Sequence, residues 1–346
     1  MNRQERSKLT EDKDEQSGRT TMKMAPFLPS YIGMDLGGTK LLLGEMDRQG
    51  NLLHVEKKAS GQMDHEAAYA FLAQALSSFL SQSTPGYQPC AIGIGLTGHV
   101  DGKNGIWLKV DERDGNAVPL ADRIAARFSL PCFIDNDVKS AAAAEGLFGV
   151  GKDTNDFAYI NVGTGIGTGI VTAGHLIRGG HANAGEVGHS SSGLTLGIPC
   201  ACGRKDCVEL IASGSGIDAC ARRFVPKYTN TKLNIPKEGR VSVQEVFALS
   251  DTDSLCRELT ENAAKALANL IMNIVRVCDP EAIVLGGGVV ADGFLLKRAE
   301  QYFSAHTMRY VTKGVQLTKM DSHYAGLIGA CANAIRGYEE LRERKD

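Results

Sequence analysis

One pattern occurs twice in this chain: an apolar run, a glycine-rich turn and a second apolar run. The first copy spans residues 31–43 and reads YIGMDLGGTKLLL, and the second spans residues 157–177 and reads FAYINVGTGIGTGIVTAGHLI. Apolar β-type runs on both sides of a tight glycine turn predict a strand, a turn and a returning strand. The repetition indicates an internal duplication, with two hairpins that face each other across a cleft.

Helical patterns alternate with further strands along the rest of the chain. Residues 67–80 and 259–278 carry apolar side chains at helical spacing, whereas residues 91–97 and 282–285 are typical of buried strands. At 346 residues the chain exceeds one typical hydrophobic core. We therefore predict an α/β protein with two related lobes and a central cleft.

Composition excludes several classes of protein. Hydrophobic residues make up 43% and charged residues 23%, as in an ordinary globular protein. The net charge of −2 and the lack of a strong basic block give nucleic-acid binding no electrostatic support. No apolar run is long enough to span a membrane. The nine cysteines are an odd number and mostly scattered, which favours a reducing cytoplasm over a disulfide framework.

The N-terminal residues differ from the rest of the chain. Residues 1–29 are mostly polar, and their charges are mixed. They lack the apolar centre of a secretory signal, so we expect a disordered tail. Translation that begins at Met22 or Met24 remains an alternative.

Residues 185–209 combine one histidine with three closely spaced cysteines. The candidate ligands are His189, Cys200, Cys202 and Cys207. Thiolate and imidazole are the ligands that a structural zinc prefers, and four of them complete a tetrahedron. The alternative is a set of unrelated buried thiols, since free cysteine behaves as a small core residue. Two carboxylates at the edges of the stretch, Glu186 and Glu209, are suited to a polar substrate.

Polar residues also stand where predicted elements meet. Asp35 precedes the first glycine turn, where it could join a magnesium shell directly or through water. Backbone N–H groups of such a turn can hold phosphate oxygens, although a plain hairpin turn is the alternative. Asp135, Asn136 and Asp137 fall at a strand-to-helix junction, where one of them could simply be the N-cap. Lys139 lies two residues further on and need not face Asp137, so we expect an exposed or lobe-bridging lysine.

Two glycine clusters have competing interpretations. The letters GTGIGTG could be a dinucleotide fingerprint, but that motif needs a helix directly after the glycines. The residues that follow are β-branched and alternating, which favours a hairpin. Residues 286–288 are three glycines after a buried strand, where a nucleotide could lie against the backbone and a helix N-terminus. An ordinary strand-to-helix turn is the alternative.

Taken together, DLGGTK, the segment DND, GTGIGTG, GEVGH with CxCG and a later Cys, and AIVLGGG resemble the ROK family of sugar kinases and sugar-responsive repressors. These motifs occur in the family's order and extend from residue 31 to the last predicted helix. The resemblance implies a two-lobed actin-like ATPase (ribonuclease H-like) fold. It also implies the following division: tail 1–29, smaller lobe 30–135 plus 325–346, and larger lobe 136–324 with the zinc loop 185–209.

The resemblance further implies an ATP-dependent kinase that phosphorylates a hexose, with glucose as first choice and N-acetylated hexosamines, fructose and allose behind it. Asp137 is then the general base. The sugar contacts are Asn136, Glu186, His189 and Glu209. The ATP and Mg²⁺ contacts are Asp35, Gly37, Gly38, Thr39, Lys40, Gly163, Thr164, Gly165, Gly286, Gly287 and Gly288. The zinc ligands are His189, Cys200, Cys202 and Cys207. A homodimer is expected.

Several positions depart from the family's usual residues. They are Thr97, Asp111, Gly115, Lys139, Thr168 and Asp206. These departures leave the sugar open and raise the alternative of a catalytically silent relative. A sugar-sensing regulator is a second alternative, although we expect about thirty residues before Asp35 to be too few for a DNA-binding core.

Overall fold

The computed structural model describes residues 27–82, 84–109, 116–321 and 323–344. The expectations about Met22, Met24 and the segment from Asp111 to Gly115 lie outside these ranges. The predicted tail boundary at residue 29 is late, because the first strand begins at Leu28, which pairs with Tyr87.

Strands and helices alternate along the described chain. The strands are β1 Leu28–Leu36, β2 Lys40–Asp47, β3 Leu52–Ala59, β4 Tyr87–Leu96, β5 His99–Asp101, β6 Ile106–Lys109, β7 Cys132–Asn136, β8 Phe157–Val162, β9 Ile166–Thr172, β10 His175–Leu176, β11 Ala282–Gly286 and β12 Val315–Leu317. The helices are α1 His65–Leu80, α2 Leu120–Phe128, α3 Asp137–Phe148, α4 Glu209–Ala212, α5 Gly214–Phe224, α6 Val243–Leu249, α7 Ser254–Cys278, α8 Phe294–Glu300, α9 Ala305–Met308 and α10 Ala325–Glu343. Short 3₁₀ turns occupy Val150–Asp153, Val187–His189 and Val225–Lys227.

Two five-stranded sheets share one topology. Their strand orders are β3-β2-β1-β4-β7 and β10-β9-β8-β11-β12. In each sheet an antiparallel hairpin is followed by two strands that run parallel to its inner strand. The first hairpin closes at the pair Leu36–Leu41, and the second closes at Val162–Ile166. The predicted repeat of strand, glycine turn and returning strand is therefore confirmed, and the shared strand order agrees with an internal duplication.

Helix α10 returns to the first sheet at the end of the chain. A Cβ added to Gly93 would lie 1.8 Å from the Ala330 carbonyl oxygen, and one added to Gly33 would lie 2.4 Å from Cys331 Sγ. Only glycine allows strand and helix to approach this closely. This packing agrees with the assignment of residues 325–346 to the smaller lobe.

Helix α3 lies between the two sheets. It packs on α10, where a Cβ on Gly329 would lie 2.8 Å from the Ser140 carbonyl carbon. It also packs on β9, where a Cβ on Gly169 would lie 2.3 Å from Ala142 Cβ. Because Asp137 is the first residue of α3, the fold places it where the two halves of the molecule meet.

Helix α7 is the longest helix of the described residues and anchors the core beside the second sheet. The Asp253 side chain accepts from the Cys256 N–H at its N-terminus, and Asp279 adopts a left-handed conformation at its end. Its buried face includes Leu267, Ile271 and Ile274, and each such side chain contributes about 1.5–3 kcal/mol when buried. None of the helices in the described part of the chain combines the length and apolarity that a bilayer crossing requires.

Candidate active site

The junction of β7 and α3 fixes a carboxylate at the start of a helix. Asn136 is the N-cap, and its Oδ1 accepts from the Lys139 backbone N–H at 3.0 Å. Its Nδ2 donates to Asp137 Oδ1 at 3.0 Å, and the Val138 N–H donates to the same oxygen at 2.9 Å. The N-cap interpretation is thus correct for Asn136. The same side chain also orients the Asp137 carboxylate.

Water reaches the Asp137 carboxylate, although protein surrounds it on most sides. Burial raises the pKa of Asp137 above its ordinary value, and the Glu186 carboxylate raises it further. The Val138 N–H and the Lys139 ammonium act in the opposite direction without cancelling the rise. A carboxylate whose pKa lies closer to neutral pH is better suited to accept a proton from a hydroxyl group.

Asp35, at the end of β1, is a second carboxylate in the same place. Burial raises the pKa of Asp35 to about 6, and the charge of Asp137 adds to the rise. A Cβ added to Gly326 would stand 2.3 Å from Asp35 Oδ2, so the start of α10 encloses this carboxylate. Two carboxylates that oppose each other's ionisation form a site where a divalent cation would relieve the repulsion.

A cavity of about 350 Å³, here called the cleft cavity, opens beside this junction. Its lining residues are Gly98, His99, Asn136, Lys139, Ala182, Asn183 and Glu186. It therefore brings together two predicted sugar contacts, Asn136 and Glu186. The other two, His189 and Glu209, are not among its lining residues. Its volume lies within the range of small-molecule sites.

Lys139 is buried, with 5% of its surface exposed. Its Nζ donates to the Ala182 carbonyl oxygen at 3.2 Å and so connects α3 to the segment that follows β10. The exposed form of our expectation is wrong. The contact does not bridge the predicted lobes either, because Lys139 and Ala182 both lie in residues 136–324.

The second glycine turn, residues 163–165, is held by its surroundings. Gly163 N–H donates to the Gly165 carbonyl at 3.0 Å, and Gly163 O accepts from Gly214 N–H at 2.8 Å. Ser215 N–H donates to the Thr164 carbonyl at 3.2 Å. The N-terminus of α5 therefore braces this turn, a contact that the sequence analysis missed. The serine N-cap before α5 was the signal that could have revealed it.

Arg240 is a further residue that the sequence analysis missed. Its guanidinium donates to Thr164 Oγ1 at 3.3 Å from a loop far along the chain. Nothing in the residues around Arg240 signals this placement, because it depends on how the loop folds back. It adds a positive charge beside the second glycine turn.

Glu209 connects the cysteine loop to the same turn. Its Oε2 accepts from the Ile166 N–H at 2.9 Å. A Cβ added to Gly165 would lie 2.6 Å from that oxygen and would displace the Glu209 carboxylate from the Ile166 N–H. The structure thus places this predicted sugar contact against the backbone of the second turn.

The first glycine turn, residues 37–39, has fewer neighbours. Gly37 N–H closes the turn on the Lys40 carbonyl at 2.9 Å, whereas Gly38 and Thr39 are exposed. A Cβ on Gly38 would meet nothing within 4 Å. This turn leaves its outer face open to a ligand.

The three glycines at the end of β11, residues 286–288, lie beside the second hairpin. Gly287 has φ +97°, and a Cβ there would lie 2.4 Å from the Val162 carbonyl oxygen. Gly288 faces open space. The expected helix directly after these glycines is wrong, because residues 289–293 intervene before α8 begins at Phe294. The hairpin favoured over a dinucleotide fingerprint is confirmed, since β9 and not a helix follows the second glycine turn.

The four predicted zinc ligands converge. The ligand atoms of His189, Cys200, Cys202 and Cys207 all lie within 4.8 Å of one another. Cys200 Sγ lies 3.4 Å from His189 Nδ1, and the Sγ atoms of Cys202 and Cys207 are 3.5 Å apart. Sulfur atoms bound to one tetrahedral zinc are about 3.8 Å apart, given bonds of about 2.3 Å. The cluster therefore fits such an ion.

Asp206 explains one departure from the family pattern. Its φ of +57° is left-handed, a conformation that glycine adopts freely and aspartate tolerates. Its carboxylate accepts from three backbone N–H groups, those of Leu196, Gly197 and Ile198. Although burial opposes the change, these donors lower the pKa of Asp206. Asp206 therefore adopts the backbone conformation that glycine would have, and its carboxylate also holds residues 196–198 of the cysteine loop in place.

Thr168 is a second departure, and its side chain bonds within the second sheet. The side chain is buried, and its Oγ1 donates to the Tyr159 carbonyl at 2.6 Å within the second sheet. The second glycine turn is therefore unaffected by this threonine.

A sequence profile described as "ROK family" matches residues 31–336. The chain belongs to the ROK family. Its relatives include a glucokinase of Halalkalibacterium halodurans, 30% identical over 86% of this chain and 93% of the relative. An N-acetylmannosamine kinase of Haemophilus influenzae is also 30% identical, with the same shares covered.

Solved structures of ROK proteins superpose on the chain. A glucokinase of Streptomyces griseus in complex with glucose and AMPPNP gives a TM-score of 0.67 at 27% identity, covering 89% of this chain and 100% of that one. A ROK transcriptional regulator gives a TM-score of 0.78 at 23% identity, covering 92% and 80%. The second likeness shows the fold alone.

Proposed function

We propose that this ROK protein is a sugar kinase that transfers the γ-phosphate of ATP to a hydroxyl group of a hexose, with glucose as the first candidate. The observation that carries the proposal is the placement of Asp137. It starts the helix between the two sheets, beside Asp35 and next to a cavity of about 350 Å³. Relatives named for glucose and N-acetylmannosamine support a sugar and leave its identity between these classes.

Asp137 acts as the general base in this mechanism. Its carboxylate accepts the proton of the sugar hydroxyl as that oxygen attacks the γ-phosphorus in line. The bond to the β–γ bridging oxygen breaks, and ADP leaves. Asn136 holds the carboxylate in place through its 3.0 Å hydrogen bond. Positioning and charge neutralisation supply most of the rate in such a transfer.

The glycine turns hold the phosphates. The groups assigned to this role are Gly37, Gly38, Thr39 and Lys40 on one side and Gly163, Thr164 and Gly165 on the other. Arg240 adds a positive charge beside Thr164. Gly286, Gly287 and Gly288 would lie beneath the nucleoside. Asp35 would hold Mg²⁺, which neutralises phosphate charge when bound.

Zinc has a structural role in this proposal. Four protein ligands leave no open position for water or substrate, so the ion does no chemistry. His189 ends the 3₁₀ turn that begins one residue after Glu186, and Glu209 follows Cys207 by two positions. The ion would therefore fix Glu186, His189 and Glu209 in position, and these residues with Asn136 would contact the sugar.

Two lobes would close over the substrates. They comprise residues 30–135 with 325–346 and residues 136–324. Closure would exclude water, which otherwise competes with the sugar as the nucleophile. A homodimer and a cytoplasmic location stay predictions.

The test is ATP consumption on a panel of sugars, with zinc measured in the same preparation. The panel contains glucose, N-acetylmannosamine, N-acetylglucosamine, fructose and allose. We expect turnover with at least one sugar and about one zinc ion per chain, as the four-ligand cluster requires. Sugar binding without ATP consumption would instead indicate a regulator or a silent relative.

A further inference from the structure

A second and larger cavity of about 690 Å³ lies beside the cleft, and we call it the arginine cavity. It is bounded by helix α10, the turn after β5 and the segment after β10. Its charged lining residues are Asp101, Lys103, Arg178, Arg336, Glu340 and Arg344. It shares only Ala182 with the cleft cavity. No substrate or metal of the proposed reaction is assigned to it.

One face of α10 supplies much of the lining. Asn333, Arg336, Glu340 and Arg344 follow one another at three or four positions. That spacing places them on the same side of a helix. The C-terminal helix thus presents a row of polar groups to the cavity.

The cavity lining carries more cationic side chains than carboxylates that can neutralise them. Arg178 is neutralised by Asp135 at 2.7 Å, and Asp101 accepts from its own turn, at Lys103 N and Asn104 N. Arg336 donates to the Gly174 carbonyl at 3.1 Å, a neutral acceptor. Asp101 also attracts the Lys103 ammonium, so Arg336 and Arg344 are left with Glu340 as the one remaining lining carboxylate.

The two inner guanidinium groups also oppose each other. Burial lowers the pKa of Arg336, and the positive charge of Arg178 lowers it further, whereas the charges of Glu340, Asp135 and Glu339 act the other way. Like charges held together away from water are unfavourable. An anion placed between them would relieve that cost.

We propose that the arginine cavity binds a phosphate-bearing metabolite of the size of a sugar phosphate. Guanidinium groups match phosphate oxygens with paired N–H donors. A volume of about 690 Å³ exceeds what one inorganic phosphate needs and is typical of sites for small organic ligands. Arg336 and Arg344 hold the phosphate group, and Lys103 lies within the same lining.

The cavity is connected to the catalytic junction by three contacts. Asp135, which pairs with Arg178, also accepts the Asn136 N–H at 2.9 Å. Asn333 donates to Ser140 Oγ at 2.8 Å, and that hydroxyl donates to the Asn136 carbonyl at 2.8 Å. Ala182, which lines both cavities, holds the Lys139 ammonium. A ligand that draws Arg178 away from Asp135 would alter the position of Asn136 and Asp137.

Binding is tested directly by titration calorimetry with three probes: glucose 6-phosphate, inorganic phosphate and citrate. The purified full chain is compared with Arg336→Gln and Arg344→Gln, and with Arg342→Gln as a matched control. Arg342 is exposed on α10 and is not part of the lining. We expect glucose 6-phosphate to bind more tightly than either other probe. Each lining variant should weaken it by about tenfold or more, the effect of one charge-assisted contact, and Arg342→Gln should not.

The proposal is overturned if glucose 6-phosphate does not bind, or if it binds equally to both lining variants, which would place it in the cleft. Tighter binding of citrate would overturn the assignment of a phosphate ligand. Arg344 is exposed, so Arg344→Gln should fold normally, and the thermal midpoint of each variant checks this. These measurements need no turnover, so they stand even if the kinase proposal fails.

An effect on catalysis rests on the proposed function and has its own measurement. The KM of the sugar should change when glucose 6-phosphate saturates the wild-type enzyme, and this change should be lost in Arg344→Gln. Competition in the cleft would affect the wild type and Arg344→Gln alike. Such a result would remove the regulatory role.

Discussion

The two glycine turns have the same topology and different surroundings. The first, residues 37–39, is exposed and carries a carboxylate, Asp35, two residues before its first glycine. The second, residues 163–165, is bound by α5, Glu209 and Arg240, and Asn161 stands where the first has Asp35. The two hairpins are thus similar in themselves. The contacts of α5, Glu209 and Arg240 hold the second turn in place, whereas the first turn has few such contacts.

This difference assigns different tasks to the two halves. Because Asn161 is a neutral amide and Asp35 a carboxylate, the proposed divalent-cation site would lie on the side of the first turn. On the other side, Glu209 of the cysteine loop holds the second glycine turn, and Arg240 adds a positive charge beside it. In the proposed mechanism the first half would supply the carboxylate for the divalent cation, and the second half would supply the braced side of the phosphate site.

Breaking the brace of the second turn should have the largest effect. Cys207→Ser removes a ligand of the proposed zinc ion, and a structural zinc contributes about 10 kcal/mol or more in small zinc domains. We expect loss of zinc, a lower thermal midpoint and at least a hundredfold loss of turnover. Cys278→Ser, at the end of α7, is the control. Full activity in a zinc-free Cys207→Ser protein would refute the brace.

Removing the Asp35 carboxylate tests the proposed magnesium site beside the first glycine turn. Asp35→Asn should lower kcat/KM by about 10²–10³, because magnesium would lose a carboxylate. Its control is Asp122→Asn, an exposed change on α2. An unchanged magnesium dependence in Asp35→Asn would take this residue out of the cation site.

A methyl group added to each turn compares their surroundings directly. Gly165→Ala places a Cβ 2.6 Å from Glu209 Oε2, whereas Gly38→Ala meets nothing within 4 Å. We expect the first change to lower the free energy of unfolding by about 1–3 kcal/mol. The second should change it by less than about 0.5 kcal/mol. Denaturant unfolding measures both, and equal effects would contradict the asymmetry.

Asp35→Asn should also gain stability, by an amount similar to the loss expected for Gly165→Ala. The folded protein raises the pKa of Asp35 to about 6 from 3.8, so it binds this proton more tightly than the unfolded chain. The associated stability is present below about pH 4 and is lost as the pH rises to about 6. Asparagine cannot ionise, so Asp35→Asn should be more stable by about 1–3 kcal/mol at pH 7.

Unfolding in magnesium-free buffer at pH 4 and pH 7 measures this gain. It should appear at pH 7 and be nearly absent at pH 4. A loss of stability at pH 7 would mean that ionised Asp35 is favourably held in the folded protein.

Local patterns in the sequence were sufficient for the hairpins, the cysteine loop and the strand-to-helix junction. Each depends on residues close together in the chain, such as Asn136 beside Asp137. The contacts of Arg240 and Glu209 could not be predicted, because they join segments far apart in sequence. The helix expected after Gly288 was wrong, since residues 289–293 form turns before α8 begins. The segment around Asp111, where the sugar would be selected, lies outside the described residues.

The most direct test of the account is Asp137→Asn, which keeps the size of the side chain and removes the base. We predict that the variant still binds the sugar identified by the panel. Its turnover should fall by about 10²–10⁴, the contribution of a general base. Turnover close to that of the wild type would contradict the claim that the two halves meet at a catalytic Asp137.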